Sequence, residues 1–211
     1  MGKMDEVIIV APRKELFENE GLVFQGIESD TSKIKQLVKN INENMSTMRR
    51  GDAEENPDFK QPIPYAVLRK GDKVFAYKRL IEGGEKRLHD KLSIGVGGHM
   101  NAIDGLNFLE STIENLKREL DEELYISDSD LNIDIIGMIN DDMNDVGKVH
   151  LGLLSVIDLP EDAEVSVKEI DQLEGFWLTK EDLKDQELVE SLEEWSKYVA
   201  VILNKDRKHR R

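Results

Sequence analysis

The chain has 211 residues, 39% of them apolar and 35% charged, and carries a net charge of −15. That length and apolar share support one main domain with an extension. The acidic balance argues against duplex DNA and anionic membranes as partners, since affinity for both comes from clustered Lys and Arg. A small anionic substrate stays open if a metal ion or a local basic cluster receives it. The absence of cysteine excludes a disulfide framework and a thiol nucleophile, and it fits a reducing cytoplasm. No stretch approaches the about 20 apolar residues of a membrane span, and the run 7–10 is too short for the apolar part of a signal peptide.

In chain order, residues 6–10 read as a buried strand rich in β-branched residues. Pro12 can open a short helix through Phe17, because its fixed φ suits a first helical turn. The strongest helical period spans 31–48, with Ile34, Leu37, Val38, Ile41, Met45 and Met48 on one stripe and Asp30 or Thr31 as cap. This apolar helix could serve a homodimer contact. Residues 49–64 are polar, hold three prolines and read as an irregular connection. The expected boundary lies there, with an extension over 1–60 and the main domain over 61–211.

Strands at 65–68 and 74–80 flank Lys70-Gly71-Asp72 and predict a hairpin. A strand at 92–98 ends in glycines and a helix follows over 111–124. Further strands are expected at 133–139, 148–159 and 175–178. A helical turn at 180–184 precedes a last helix over 188–203, whose stripe is Leu192, Trp195, Val199 and Ile202. The tail 205–211 is basic and reads as solvated. Strands around one central helix, with more helices at both ends, predict an α/β sandwich around a mixed sheet.

The chemistry concentrates in residues 97–126. Ser111 and Glu114 have capping-box spacing. Ile113, Leu116, Leu120 and Leu124 give the helix a buried face. Glu119, Glu122 and Glu123, spaced i, i+3, i+4, fall within an arc of about 100 degrees on the other side. Like charges so placed repel by a few tenths of a kcal/mol, roughly, and sit at the negative end of the helix dipole. A divalent cation reverses both penalties. Hard oxygen ligands favour Mg²⁺ or Mn²⁺, and Mg²⁺ leaves positions for waters and substrate phosphates. With 44 acidic residues in the chain, the three glutamates alone would read as a solvated face.

Their surroundings turn that reading. Glu110 is followed by seven residues and then by Arg118-Glu119-Leu120-Asp121-Glu122-Glu123-Leu124, with Ile126 two places on and Gly97-Gly98 upstream. This stretch resembles the Nudix signature, in which a glycine, a glutamate, an Arg-Glu pair and a Glu-Glu pair recur at fixed spacing. Residues 175–183 are similar to the short strand and helix start that close many Nudix domains, so the resemblance covers roughly 64–184. It implies a Nudix hydrolase that uses Mg²⁺ or Mn²⁺ to cleave a diphosphate linkage in a nucleoside diphosphate derivative or similar small molecule. It implies that Glu119, Glu122, Glu123 and the Gly98 carbonyl bind metal, and that Glu119 also serves as base toward the attacking water. Arg118 would pair with Glu110 and hold the loop against the helix. A further loop acid is open among Glu169, Asp171 and Glu174.

Two departures stand out. Eleven residues, 99–109, separate Gly98 from Glu110 where the family has five, so the loop is expected to bulge outward around Asp104-Gly105. Tyr125 stands where the family has the glycine that stops the helix in a left-handed conformation. They keep a second reading in view, a Nudix-fold nucleotide-binding or regulatory module without turnover. An isomerase on the same scaffold ranks last, since the cysteine of that chemistry is missing.

Other polar residues carry plainer expectations. His150 reads as an interior or surface histidine ahead of a substrate contact, and for His99 a loop role and a site role stand level. Asp141, Asp142 and Asp145 read as a solvated turn, without EF-hand spacing. Arg49, Arg50 and Lys60 read as surface charge ahead of phosphate contacts.

Overall fold

The computed structural model describes residues 2–80, 91–128 and 130–205. Strand β1 (Val7–Pro12) runs into a short helix α1 (Arg13–Leu16), as Pro12 predicts. Three successive residues with positive φ, Glu18, Asn19 and Glu20, follow before strand β2 (Gly26–Glu28). Helix α2 (Thr31–Asn44) is capped by Asp30, whose carboxylate accepts the Lys33 N–H at 2.8 Å. Such a cap contributes about 1 kcal/mol. The helix stops four residues before the expected end. Met45 is extended (φ −63, ψ 147), and β3 (Ser46–Arg49) pairs antiparallel with β1 from Val10↔Ser46 to Val7↔Arg49.

The stretch expected to be irregular holds helix α3 (Arg50–Ala53) and the first half of strand β4 (Phe59–Lys70). Residue 60, the expected boundary, lies one residue into that strand. The hairpin forms as expected: β4 and β5 (Lys73–Arg79) pair through Lys70↔Lys73, and Gly71 takes φ +57 in the two-residue turn. Such primed turns need a positive φ that glycine adopts freely. The strand foreseen at 92–98 is two short pieces, β6 (Leu92–Ser93) and β7 (Val96–Gly97).

Helix α4 (Phe108–Glu123) passes directly into β8 (Leu124–Ile126). Strand β9 (Ile135–Asn140), helix α5 (Asp145–Val149) and strand β10 (His150–Asp158) follow, then β11 (Val165–Val167) and β12 (Leu173–Thr179). After a 3-10 turn at Asp182–Lys184, the last expected helix proves to be two. These are α6 (Gln186–Ser191) and α7 (Glu194–Lys205), separated by an extended Leu192 (ψ 151). The basic tail beyond residue 205 lies outside the described residues.

The chain forms two compact units, each built from three stretches. The first takes Met1–Tyr65, Gly97–Arg118 and Ile135–Ser155. In it β9 lies between β2 and β10, both antiparallel to it. Its core includes Ile9, Leu16, Phe17, Leu37, Ile41, Met100, Phe108, Met138, Leu151 and Leu153, none more than 2% exposed. At about 25 cal/mol per Å², burying each large side chain stabilises by roughly 1.5–3 kcal/mol.

Of the acidic loop in this unit, Asp145 is solvated as expected, but Asp141 and Asp142 are not. Asp141 is buried and accepts from Gln25 and Asn144. Asp142 joins Arg13 at 2.8 Å and Lys60 at 2.8 Å. Lys60, expected on the surface, is fully buried and also donates to the carbonyl of Gly147. Burial pushes its ammonium pKa down, while Asp142 opposes the shift. A buried Lys survives only with partners of this kind.

The second unit takes Ala66–Val96, Glu119–Asp134 and Val156–Arg211. In it β12 pairs with β5 along seven residues, from Leu173↔Arg79 to Thr179↔Lys73. Phe75 meets Trp177 edge-on with ring centroids 5.4 Å apart. Gly175 faces Phe75 so closely that a Cβ there would stand 2.6 Å from the ring. Both units combine strands with helices, in keeping with the α/β class expected. Among the described residues, no helix is long and apolar enough to cross a membrane.

Candidate active site

Helix α4 begins one turn earlier than its sequence signals suggest. Asn107, not Ser111, closes the capping box: Asn107 Oδ1 accepts the Glu110 N–H at 3.1 Å, and the Glu110 carboxylate accepts the Asn107 N–H at 2.9 Å. The start is fixed by Phe108, whose ring is fully buried and whose N–H reaches Asn42 Oδ1 at 3.0 Å. Ser111 lies buried inside the helix, and Glu114 pairs with Lys117 at 2.9 Å.

The long loop before α4 is anchored at its base. Met100 is fully buried, and its carbonyl accepts the Ile9 N–H at 2.7 Å. Asn101 and Asn115 bond reciprocally at 2.9 Å. The expected outward bulge is confined to the tip, where Gly105 takes φ +82 with no atom near its missing Cβ. Arg118 Nη2 ties the loop to α4 by donating to the His99 carbonyl at 2.9 Å and to Asn115 Oδ1 at 3.2 Å. The Glu110 carboxylate takes part in the cap.

The three α4 glutamates belong to the second unit. Glu119 and Glu123 are half-buried and Glu122 is exposed. Burial pushes the Glu123 carboxyl up to about 7; Arg79 opposes the shift, and Glu119, Glu169 and Glu193 add to it. Glu193 also meets Arg79 at 3.3 Å. Of the three loop acids left open by the sequence, Glu169 is among the charges that push Glu123 up. All three are exposed, and Glu174 sits on β12 opposite Lys78. Arg79 and Glu193 carried no sequence signal, because neither belongs to the motif.

The helix end explains how Tyr125 is tolerated. No residue there adopts a positive φ. Instead of turning in a left-handed cap, the chain extends at once into β8, which pairs antiparallel with β11 through Ser166↔Tyr125. The Lys168 N–H bonds the Glu123 carbonyl at 2.8 Å, and its ammonium bonds the Asp121 carbonyl. The same ammonium lies 4.9 Å from the centre of the exposed Tyr125 ring. A lysine there satisfies terminal carbonyls and complements the helix dipole, tasks a glycine cap performs differently.

Among the described residues, a set of three side chains with ligand atoms within 4.8 Å of one another is Glu54, His99 and His150, in the first unit. Burial alone would push the Glu54 carboxyl up, but the neighbouring His150 and His99 outweigh it and hold it well below the usual carboxylate range. Burial lowers the His99 imidazole. Both histidines are thus interior, and Glu54 was not singled out by the sequence.

A scan against protein-family models finds no match. The chain is 51% identical over 205 residues to Protein YmaB of Bacillus subtilis (strain 168), covering 96% of this chain and 100% of the relative. It superposes on the crystal structure of Tm1382, a protein assigned to the Nudix hydrolases, with a TM-score of 0.76 and 28% identity over 95% of this chain and 99% of the other. The chain belongs to the Nudix superfamily. This Nudix protein is accordingly a hydrolase. A bifunctional NMN adenylyltransferase/ADP ribose pyrophosphatase from Francisella tularensis, solved with AMP and a Mn ion, matches with a TM-score of 0.52 and 14% identity. That match spans 70% of this chain and 42% of the other, and shows a shared fold alone.

Proposed function

We propose that this Nudix protein is a metal-dependent hydrolase that cleaves the diphosphate linkage of a nucleoside diphosphate derivative. The observation that carries the reading is the set of Glu119, Glu122 and Glu123 on α4, in register with Glu110 and Arg118, with Glu123 half-buried among further acids. Desolvated carboxylates in such company are costly and call for a cation. Oxygen donors without sulfur fit Mg²⁺ or Mn²⁺.

Glu119, Glu122 and Glu123 would hold the ion, with Glu169 as the additional acid. The carbonyl ligand expected of Gly98 is a proposal on the sequence alone. When bound, the ion supplies charge neutralisation and Lewis-acid polarisation of the diphosphate. Glu119 takes the proton of the attacking water as general base. Arg118 keeps the loop after Gly98 in place through the His99 carbonyl. Water adds to one phosphorus, and the other phosphate leaves with its bridging oxygen.

The test is phosphate release from a panel of nucleoside diphosphate derivatives with Mg²⁺, with Mn²⁺ and with EDTA. We expect metal-dependent cleavage of one class, reduced at least about 100-fold in Glu122→Gln. An unchanged rate in that variant would overturn the ligand assignment. No turnover across the panel would favour a binding module.

A further inference from the structure

We propose that Glu54, His99 and His150 form a second metal site, for a zinc-class transition ion, that shares no residue with the α4 carboxylates. The three residues come from separate segments of the first unit: the end of α3, the loop after β7 and the start of β10. Their ligand atoms form a small triangle. His99 Nε2 and His150 Nε2 are 3.3 Å apart, and Glu54 Oε1 lies 3.5 Å from the first and 3.7 Å from the second. A tetrahedral zinc ion with ligands at about 2.0–2.2 Å spaces those ligands by about 3.3–3.5 Å. The triangle therefore has the size of one face of a zinc tetrahedron, before any ion draws it together.

The chemistry of the donors agrees. Two imidazoles and one carboxylate suit zinc and its neighbours, whereas Mg²⁺ and Ca²⁺ prefer oxygen alone. His150 Nδ1 lies 2.7 Å from the Val146 carbonyl. That acceptor assigns the proton to Nδ1 and leaves a lone pair on Nε2, the usual outer support of a metal-bound histidine. The rings meet at 72° and are not stacked. The side chains of His99 and His150 are 11% and 9% exposed and that of Glu54 25%, so the set is not sealed from solvent.

Gln61 adds an independent observation. It is fully buried, its Oε1 accepts the His99 Nε2–H at 2.8 Å in the metal-free protein, a proton that a bound ion would displace, and its amide nitrogen has no hydrogen-bond partner. Native interiors seldom leave such a donor unmet. A water or anion in the fourth position gives it an acceptor. The facing charge is Arg50, whose Nε is 3.6 Å from Glu54 Oε1 and whose Nη1 is 3.6 Å from Glu6. Arg50 is thus shared between Glu6 and Glu54. Because the His99 carbonyl accepts from Arg118, an ion on the His99 ring pins the loop that leads into α4.

The metal-stripped full-length protein should be titrated with Co²⁺ near neutral pH and followed by its visible absorption. We expect one equivalent to give the intense bands of a tetrahedral or five-coordinate site, displaced by Zn²⁺ and indifferent to excess Mg²⁺. Glu54→Gln, nearly isosteric, and His150→Ala should each weaken binding at least about 100-fold. Glu122→Gln should leave it unchanged, so failure of this site and failure of the hydrolase reading are told apart. Zn²⁺ should also raise the Tm of the wild type and not of Glu54→Gln, which keeps the test valid if His150→Ala fails to fold. Binding that survives Glu54→Gln, or that disappears in Glu122→Gln, would overturn the proposal.

Discussion

Glu123→Gln separates the demands of folding from those of metal binding. The Glu123 carboxyl sits at about 7 in the folded protein against an ordinary 4.5, first because it is buried and then, against the pull of Arg79, because Glu119, Glu169 and Glu193 repel its charge. Its folded value lies above its unfolded one. The metal-free protein therefore has the full benefit of a neutral Glu123 below about pH 4.5 and loses it as pH rises through about 7. At 1.36 kcal/mol per pH unit that loss is roughly 3 kcal/mol. The amide of the variant cannot ionise. In urea denaturation with EDTA, the variant and the wild type should match near pH 4.5, and the variant should be more stable by roughly 3 kcal/mol near pH 8. Mg²⁺ at 100 times its Kd should restore about 2.7 kcal/mol to the wild type and little to the variant. A wild type as stable as the variant near pH 8 without metal would refute the reasoning, since Glu123 would then ionise in the fold at no cost.

Two further substitutions test how α4 is delimited. Asn107→Ala should lower stability by about 1 kcal/mol in thermal denaturation, because it removes one half of the capping box with Glu110. A loss within error would mean that the burial of Phe108 alone sets the start. Tyr125→Gly restores the residue of the Nudix pattern yet should cost about 1–2 kcal/mol, since glycine weakens a strand and the cation–π contact with Lys168 is lost. Its turnover should stay within about threefold of wild type, because the α4 carboxylates precede the change; a gain in stability would show that β8 is imposed on Tyr125 and not supported by it.

The elements with their own periodicity were legible. The Ile34–Ile41 stripe, the Gly71 hairpin and the apolar face of α4 each carry their structure locally. Residues 49–64 were not, because Pro62 and Pro64 argue against a strand. Two residues apart, they turn their donorless nitrogens to the same edge of β4, so the other edge keeps its N–H groups. Met45 and Met48 continue the helical stripe, but β1 recruits Ser46–Arg49 as a paired strand, and tertiary pairing overrides the local period. The last helix failed for a related reason: the Glu193 N–H bonds the Leu92 carbonyl, and Leu192 forms a bridge with Leu92, which extends the chain between α6 and α7.

The same distinction governs what could be read of function. The α4 glutamates are visible because one helix displays them at a spacing the sequence states outright. Glu54, His99 and His150 lie on three segments far apart in sequence, and only the folded first unit brings their ligand atoms within 3.7 Å. A lone histidine in a strand and another after a glycine pair carry no more signal than any interior residue. What turns them into a candidate centre is the carboxylate between them and the carbonyl behind His150. Glu169 and Glu193 follow the same logic around Glu123. The motif helix is legible from its spacing, whereas the side chains that complete its environment are contributed by segments whose composition is ordinary for so acidic a chain.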